Sequence, residues 1–259
     1  MKIAVCVKHV PISDNVEIDE NNNLVRDNAE SDINPCDMNA MEFALQLKQQ
    51  TEGTIDVYTM GPDFAVASLK KCLAIGADQA YLLSDKRFAG GDTLGTARVL
   101  AKALSDNGPY DVIFTGNESA DGGTGQVGPM IAELMGMPDI AETVSIEANG
   151  NGGLTIKKNI PDKHIILDVT APVLVTVPFG CNEPTLPTLR TQRQANKVDV
   201  PSIDDDQLGL DPATIGKDAG LSVVTGLSNS EYEGNAEMLE GSFTDIASKI
   251  EGLIEEGRS

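Results

Sequence analysis

Over the first 135 residues, short apolar, β-branched runs alternate with stretches of helical periodicity, and few folds accommodate that order. Residues 2–7, 54–59, 79–83 and 111–115 read as strands, and residues 37–50, 64–75 and 92–106 read as helices. The first helix opens on Asn34-Pro35, an N-cap followed by a proline at the first helical position, and the second ends at Gly76. Strand–helix alternation of this kind predicts a parallel sheet with right-handed crossovers, helices on both faces and a ligand at the carboxyl ends of the strands. The fold class is therefore α/β: a mostly parallel, layered sheet of the nucleotide-binding, Rossmann-like kind. Val16-Glu17-Ile18 and Leu24-Val25 add a small hairpin around a polar turn. Residues 140–147, 154–158, 164–169 and 173–177 carry strand patterns without helices between them, and are expected to extend the sheet antiparallel at one edge.

Past Pro178 the periodicity fades. Residues 199–259 hold 14 acidic and 3 basic side chains, about half of the formal net charge of −21, and only residues 244–256 look helical. This predicts two parts: an α/β domain over 1–198, and an acidic, extended C-terminal arm over 199–259 that needs another surface to order it, a disordered acidic tail being an equal reading of the composition. A chain this acidic repels polyanions, which excludes nucleic acid as a partner. No apolar run approaches the roughly 20 residues of a membrane span. Lys8-His9 also interrupts the opening run too early for a signal peptide, so a cytoplasmic chain is expected. Cys6, Cys36, Cys72 and Cys181 are far apart in sequence and His9 and His164 are the only histidines, so neither a metal centre nor a His-based triad has material.

The stretch most informative about chemistry is Gly116-Asn117-Glu118-Ser119-Ala120-Asp121-Gly122-Gly123-Thr124-Gly125-Gln126-Val127-Gly128, which follows a strand and opens a helix. Glycines let a backbone turn sharply and approach a ligand closely, and amides at a helix N-terminus suit a phosphate. A flexible loop capped by Asp121 or Thr124 is an equal reading of that stretch by itself. Neither a P-loop nor a Gly-x-Ser-x-Gly elbow occurs. With no protein nucleophile in view, the pattern points to a bound nucleotide cofactor that carries the chemistry.

Six motifs then fall in a recognisable order: Val5-Cys6-Val7-Lys8-His9-Val10-Pro11; Ile33-Asn34-Pro35-Cys36-Asp37 with Ala40-Met41-Glu42; Gly61-Pro62; Ala74-Ile75-Gly76-Ala77-Asp78; Asp121-Gly122-x-Thr124-x-Gln126-Val127-Gly128-Pro129; and Asn182-Glu183-Pro184 with Leu189. In this order they resemble the small (beta) subunit of electron transfer flavoproteins, from residue 1 to about 197. The glycine-rich loop resembles that of the anaerobic, bifurcating branch. Asn117 stands where members often carry a basic residue, and Gly123 where an acid is usual.

The resemblance implies a subunit that pairs with a larger, flavin-binding alpha subunit and passes electrons between NADH, FAD and a partner dehydrogenase. It implies that Cys6, Asn34, Pro35, Cys36, Asp37, Met60 and the loop Gly116, Asn117, Glu118, Ser119, Ala120, Asp121, Gly122, Gly123, Thr124, Gly125, Gln126 and Val127 surround a cofactor: FAD in bifurcating members, AMP in electron-shuttling ones. It also implies that residues 182–197 form a recognition segment with Leu189 as the docking anchor, and that the arm packs on the alpha subunit. An acyl-CoA dehydrogenase or another FAD dehydrogenase would be the partner, NAD(H) the donor or acceptor, and a ferredoxin the low-potential acceptor. Two readings from other classes share the fold: a stand-alone adenine-nucleotide sensor, and a nicotinamide-dependent enzyme acting alone, for which no proton-donor constellation is visible.

Overall fold

The computed structural model describes residues 1–11, 17–18, 24–25, 31–222 and 238–256. The chain runs through β1 (Lys2–Cys6), β2 (His9–Pro11), β3 (Glu17–Ile18), β4 (Leu24–Val25), β5 (Ser31–Ile33), α1 (Pro35–Thr51), β6 (Thr54–Met60), α2 (Val66–Ile75), β7 (Gln79–Leu83), α3 (Thr93–Asn107), β8 (Val112–Gly116) and α4 (Val127–Met135). It continues through β9 (Asp139–Ile140), β10 (Thr143–Ala148), β11 (Gly153–Ile160), β12 (Lys163–Thr170), β13 (Val173–Val177), α5 (Leu189–Ala195), β14 (Ser202–Ile203), α6 (Asp205–Leu208) and α7 (Phe243–Glu256).

A seven-stranded sheet of order β14-β7-β6-β1-β8-β13-β9 forms the centre, and every pairing in it is parallel. Because side chains alternate across a strand, the two faces can be read from single residues. Ile3 and Val5 enter a core with Met41, Ala44 and Leu47 of α1 and Leu69 of α2. Ala4 and Cys6 enter a second core with Leu100 and Leu104 of α3 and Ile131 of α4. Burial on both faces explains the uninterrupted apolar run of the first strand. The chain leaves β1 toward β6 on one side and later returns to place β8 on the other. The carboxyl ends of β1 and β8 thus flank a topological switch point, where open sheets of this kind hold ligands.

The antiparallel strands are present, but the expectation that they extend the main sheet is corrected. β10, β11 and β12 form a separate three-stranded sheet, whereas β13 lies inside the main sheet, parallel to β8 and β9. The reason lies in the burial each strand can support. Val173, Leu174, Val175, Thr176 and Val177 are all buried, as an interior strand requires, whereas β10 and β11 offer one apolar row, Ile146, Leu154 and Ile156. Glu142, at φ +60°, marks the turn between β9 in one sheet and β10 in the other. The short β3–β4 pairing agrees with the expected hairpin; its turn lies outside the described residues.

One compact unit runs through Met1–Thr225. Within it the segment after residue 199 returns to the sheet: Ser202 and Ile203 pair with Leu82 and Leu83. Asp204 caps α6 in a reciprocal box with Gln207, and Arg87 meets the buried carboxylate of Asp205 at 2.9 Å. Helices α5 and α6 were not visible in the hydrophobic periodicity because they span 7 and 4 residues. The second unit, Gly226–Ser259, contains α7, close to the helix expected over 244–256; its Phe243, Leu253 and Ile254 are exposed. Among the described residues, no helix is long and apolar enough to cross a membrane, and no group of three or more His, Cys, Asp or Glu side chains could hold a metal ion.

Candidate functional site

The expected site residues converge at the carboxyl edge of the main sheet. Cys6 ends β1, Met60 ends β6, Gly116 ends β8, and Pro35 starts α1. Their joint is Asp37, a buried residue in the first turn of α1. Its Oδ1 accepts from the Gly116 amide at 3.0 Å and from Asn34 Nδ2 at 3.0 Å, and its Oδ2 accepts from the Lys8 amide at 2.6 Å. Burial pushes this carboxyl up to about 7, against the opposing pull of the Asn34 side chain and the two backbone amides.

Asn34 extends the joint into the loop. Its Nδ2 also donates to the Glu118 carbonyl at 2.8 Å, and its Oδ1 accepts from the Ala120 amide at 3.0 Å. Lys8 closes the outer side, with its ammonium 2.6 Å from Asp121 Oδ1 and 3.2 Å from Ser119 Oγ. Burial works to raise the Asp121 carboxyl, but the Lys8 ammonium and the Ser119 hydroxyl outweigh it and leave it below the ordinary carboxylate value. Asn34 and Asp37 therefore hold the loop through its backbone, and Lys8 holds it through the Asp121 and Ser119 side chains.

Beyond Asp121 the loop is exposed and shaped by backbone conformation. Gly123 and Gly125 adopt φ +56° and +63°, values L side chains rarely take. The room beside them is ordinary, since an added Cβ would lie 3.9 Å from Glu118 and 3.6 Å from Asn117. Gly128 differs: a Cβ there would meet Thr115 Oγ1 at 2.7 Å and Thr176 Cγ2 at 2.8 Å, so glycine lets α4 close onto β8 and β13. The first-turn amides of α4 have no acceptor within their own helix; Pro129 contributes none, Gly128 is buried, and Val127 adjoins the exposed loop. Gln126, at the N-cap position of α4, is bonded to Thr93 at the start of α3, Oγ1 to Oε1 2.9 Å. The bond ties the starts of the two helices together; the α3 start already carries the Asp92 carboxylate, so the anion-favouring character beside the loop is that of the α4 start.

Other expected residues take different roles. Asn117 faces away from the loop, donating to Glu142 Oε1 at 2.6 Å and accepting from Thr176 Oγ1 at 3.0 Å. Cys6 lies on the α3/α4 face of the sheet, opposite Asp37, and burial followed by the Asp37 charge pushes its thiol up to about 12. Met60 packs against the same core, and Cys36 is buried in α1. Leu189 is 78% exposed and is the first residue of α5, capped by Thr188, rather than part of an irregular loop. Sequence reasoning missed the parts played by Lys8 and Thr93. Thr93 had a readable signal: Gly90-Gly91-Asp92-Thr93 is a turn with an N-cap, and Asp92 caps α3 through the Gly95 amide at 2.9 Å.

Comparison with known proteins shows the family. Residues 22–208 match the model of the electron transfer flavoprotein domain. An electron transfer flavoprotein subunit beta from Thermoanaerobacterium thermosaccharolyticum is 35% identical, over 98% of this chain and 97% of its own. The subunit beta from Megasphaera elsdenii is 38% identical over 83% of both chains. Subunit CarD of the caffeyl-CoA reductase-Etf complex of Acetobacterium woodii is 32% identical over 99% of this chain and 98% of its own. With the glycine-lined loop and the parallel sheet in the places the motifs require, the chain belongs to the electron transfer flavoprotein family, as a beta subunit.

Proposed function

We propose that this beta subunit works in flavin-based electron bifurcation: with its alpha subunit it takes a hydride from NADH and divides the electrons between a partner dehydrogenase and a low-potential acceptor such as a ferredoxin. The observation that carries the reading is the glycine-lined loop between β8 and α4, exposed beyond Asp121 and turned by Gly123 and Gly125 at positive φ. A glycine-lined loop leaves close approach and backbone amides for a pyrophosphate, whereas AMP needs a site for only one phosphate. The similarity to CarD, a subunit of a caffeyl-CoA reductase-Etf complex, and to an acryloyl-CoA reductase electron transfer subunit supports a CoA-thioester dehydrogenase as partner.

The residues present fit a dinucleotide. Amides over 124–127 would hold its phosphates, those of Gly122 and Gly123 donating to the Ser119 carbonyl; Asp121 would accept from ribose hydroxyls while Lys8 keeps it ionised, and Cys6 and Met60 would wall the base. FAD, when bound, supplies both hydride and one-electron chemistry. The chain's own part is to fix the loop through Asn34 and Asp37 and to hold the cofactor in orientation. The exposed apolar side chains of α7 give the acidic C-terminal segment a surface to pack on the alpha subunit.

Cofactor content tests this. The heterodimer should release two FAD on denaturation and oxidise NADH only when high- and low-potential acceptors are both present. One FAD with one AMP, and no reaction with NADH, would place it among the electron-shuttling members. A homodimer without flavin would make it a nucleotide sensor.

A further inference from the structure

Between β13 and α5, residues 178–188 have no regular structure and expose large apolar side chains: Phe179 and Leu186 are each 73% exposed, and Leu189 follows at 78%. Such a segment would ordinarily sample many conformations. Here one buried side chain of α1 holds it. Asn39 accepts from the Gly180 amide through Oδ1 at 3.0 Å, and its Nδ2 donates to the Asn182 carbonyl at 2.9 Å and to Asn182 Oδ1 at 2.6 Å. Asn182 answers with Nδ2 on the Asn39 carbonyl at 3.0 Å. One turn further along α1, Glu42 Oε2 accepts from the Thr185 amide at 2.9 Å. Asn39 is only 1% exposed, so every one of its side-chain hydrogen-bonding atoms is spent on this segment.

We propose that Asn39 is a positioning residue for partner docking: the reciprocal Asn39–Asn182 pair pre-organises the 178–189 segment so that its apolar side chains meet the dehydrogenase without a further ordering cost. The inference rests on the reading of Leu189 as a docking anchor and adds the device that aims it. Rigidity matters because ordering a flexible loop on binding subtracts from affinity, whereas a loop ordered beforehand retains it. The helix that carries Asn39 also carries Asp37, two residues earlier, on the nucleotide loop. The docking segment and the cofactor edge are therefore registered to one rigid element, as transfer between a bound cofactor and a docked partner requires.

The test uses the intact heterodimer with its flavins, a short-chain acyl-CoA dehydrogenase reduced by butyryl-CoA as donor, and the variants Asn182→Ala and Leu189→Ala. Asn182→Ala is preferred to Asn39→Ala because Asn182 is only half-buried, so the fold is retained. The expected result is that Asn182→Ala raises KM for the donor about tenfold with a smaller change in kcat and unchanged flavin content. It should also speed hydrogen exchange at the Gly180 and Thr185 amides. Leu189→Ala should raise KM without changing that exchange. If Leu189→Ala raises KM but Asn182→Ala does not, the reciprocal Asn39–Asn182 pair does not pre-organise the segment and the inference alone fails. If Leu189→Ala has no effect, or the wild type accepts no electrons from the donor, the docking reading fails and the inference falls with it.

Discussion

The Asp37 carboxylate and the Gly116 amide, 79 residues apart in sequence, meet at 3.0 Å in the interior and join the start of α1 to the end of β8. The contact requires glycine at 116, because a Cβ there would overlap Asp37 Oδ1 and lie 2.7 Å from Cys36 Cβ. The loop that follows begins in a defined direction because of this pair.

Gly116→Ala should therefore cost about 2 kcal/mol of stability through overpacking and lower cofactor retention. Thermal unfolding of the reconstituted heterodimer, with a cofactor count on the same sample, measures both. A variant as stable as wild type would show that the Asp37 contact yields easily.

Asp37 also makes the loop sensitive to pH. Its carboxyl stands at about 7 in the folded protein, above its ordinary value of 3.8. Between those values the folded form holds a proton that the unfolded chain has released, so the contribution of Asp37 to stability falls as pH rises from about 4 to about 7 and is level above that. Protonation, however, places a hydroxyl among three N–H donors, which loosens the loop even where global stability gains. Cofactor retention in the wild type should decline below about pH 7, and in Asp37→Asn it should be lower throughout but flat. The dissociation rate of bound flavin, followed by fluorescence from pH 5 to pH 8, gives the profile. Parallel profiles would remove Asp37 from the account.

Gly125→Val, at φ +63° with only an ordinary contact to the Asn117 carbonyl at 3.6 Å, should act chiefly through backbone strain. A cost of about 1–2 kcal/mol corresponds to a weakening of nucleotide binding of roughly tenfold, with little loss of fold. The exposed Glu147→Ala serves as the control, and equal affinities for the two variants would contradict a role for the loop in binding.

Phe243→Asp places a charge on the most exposed large apolar side chain of α7. If this helix packs on the alpha subunit, the variant should weaken the heterodimer by about tenfold or more, because a buried unpaired charge is costly. Subunit dissociation on dilution, read by mass photometry, checks it, and an undiminished heterodimer would leave α7 outside the interface.

The alternation of strands and helices, the cap at Asn34-Pro35 and the position of the glycine-rich loop after a strand were all determined by the sequence alone. Each is a local pattern: a strand buried on two faces must be apolar throughout, and a helix must repeat at its own period. Tertiary structure alone decided which strand entered which sheet. Residues 154–158 and 173–177 both read as strands, yet only the latter, apolar on both faces, could join the main sheet. The same holds for the polar pairs that make the site. Asp37 finds Gly116, and Asn39 finds Asn182 across 143 residues, because the sheet order lays β1, β8 and β13 side by side beneath α1. A hydrogen bond between distant residues leaves no periodic trace in the chain; it exists only once packing has brought its donor and acceptor together.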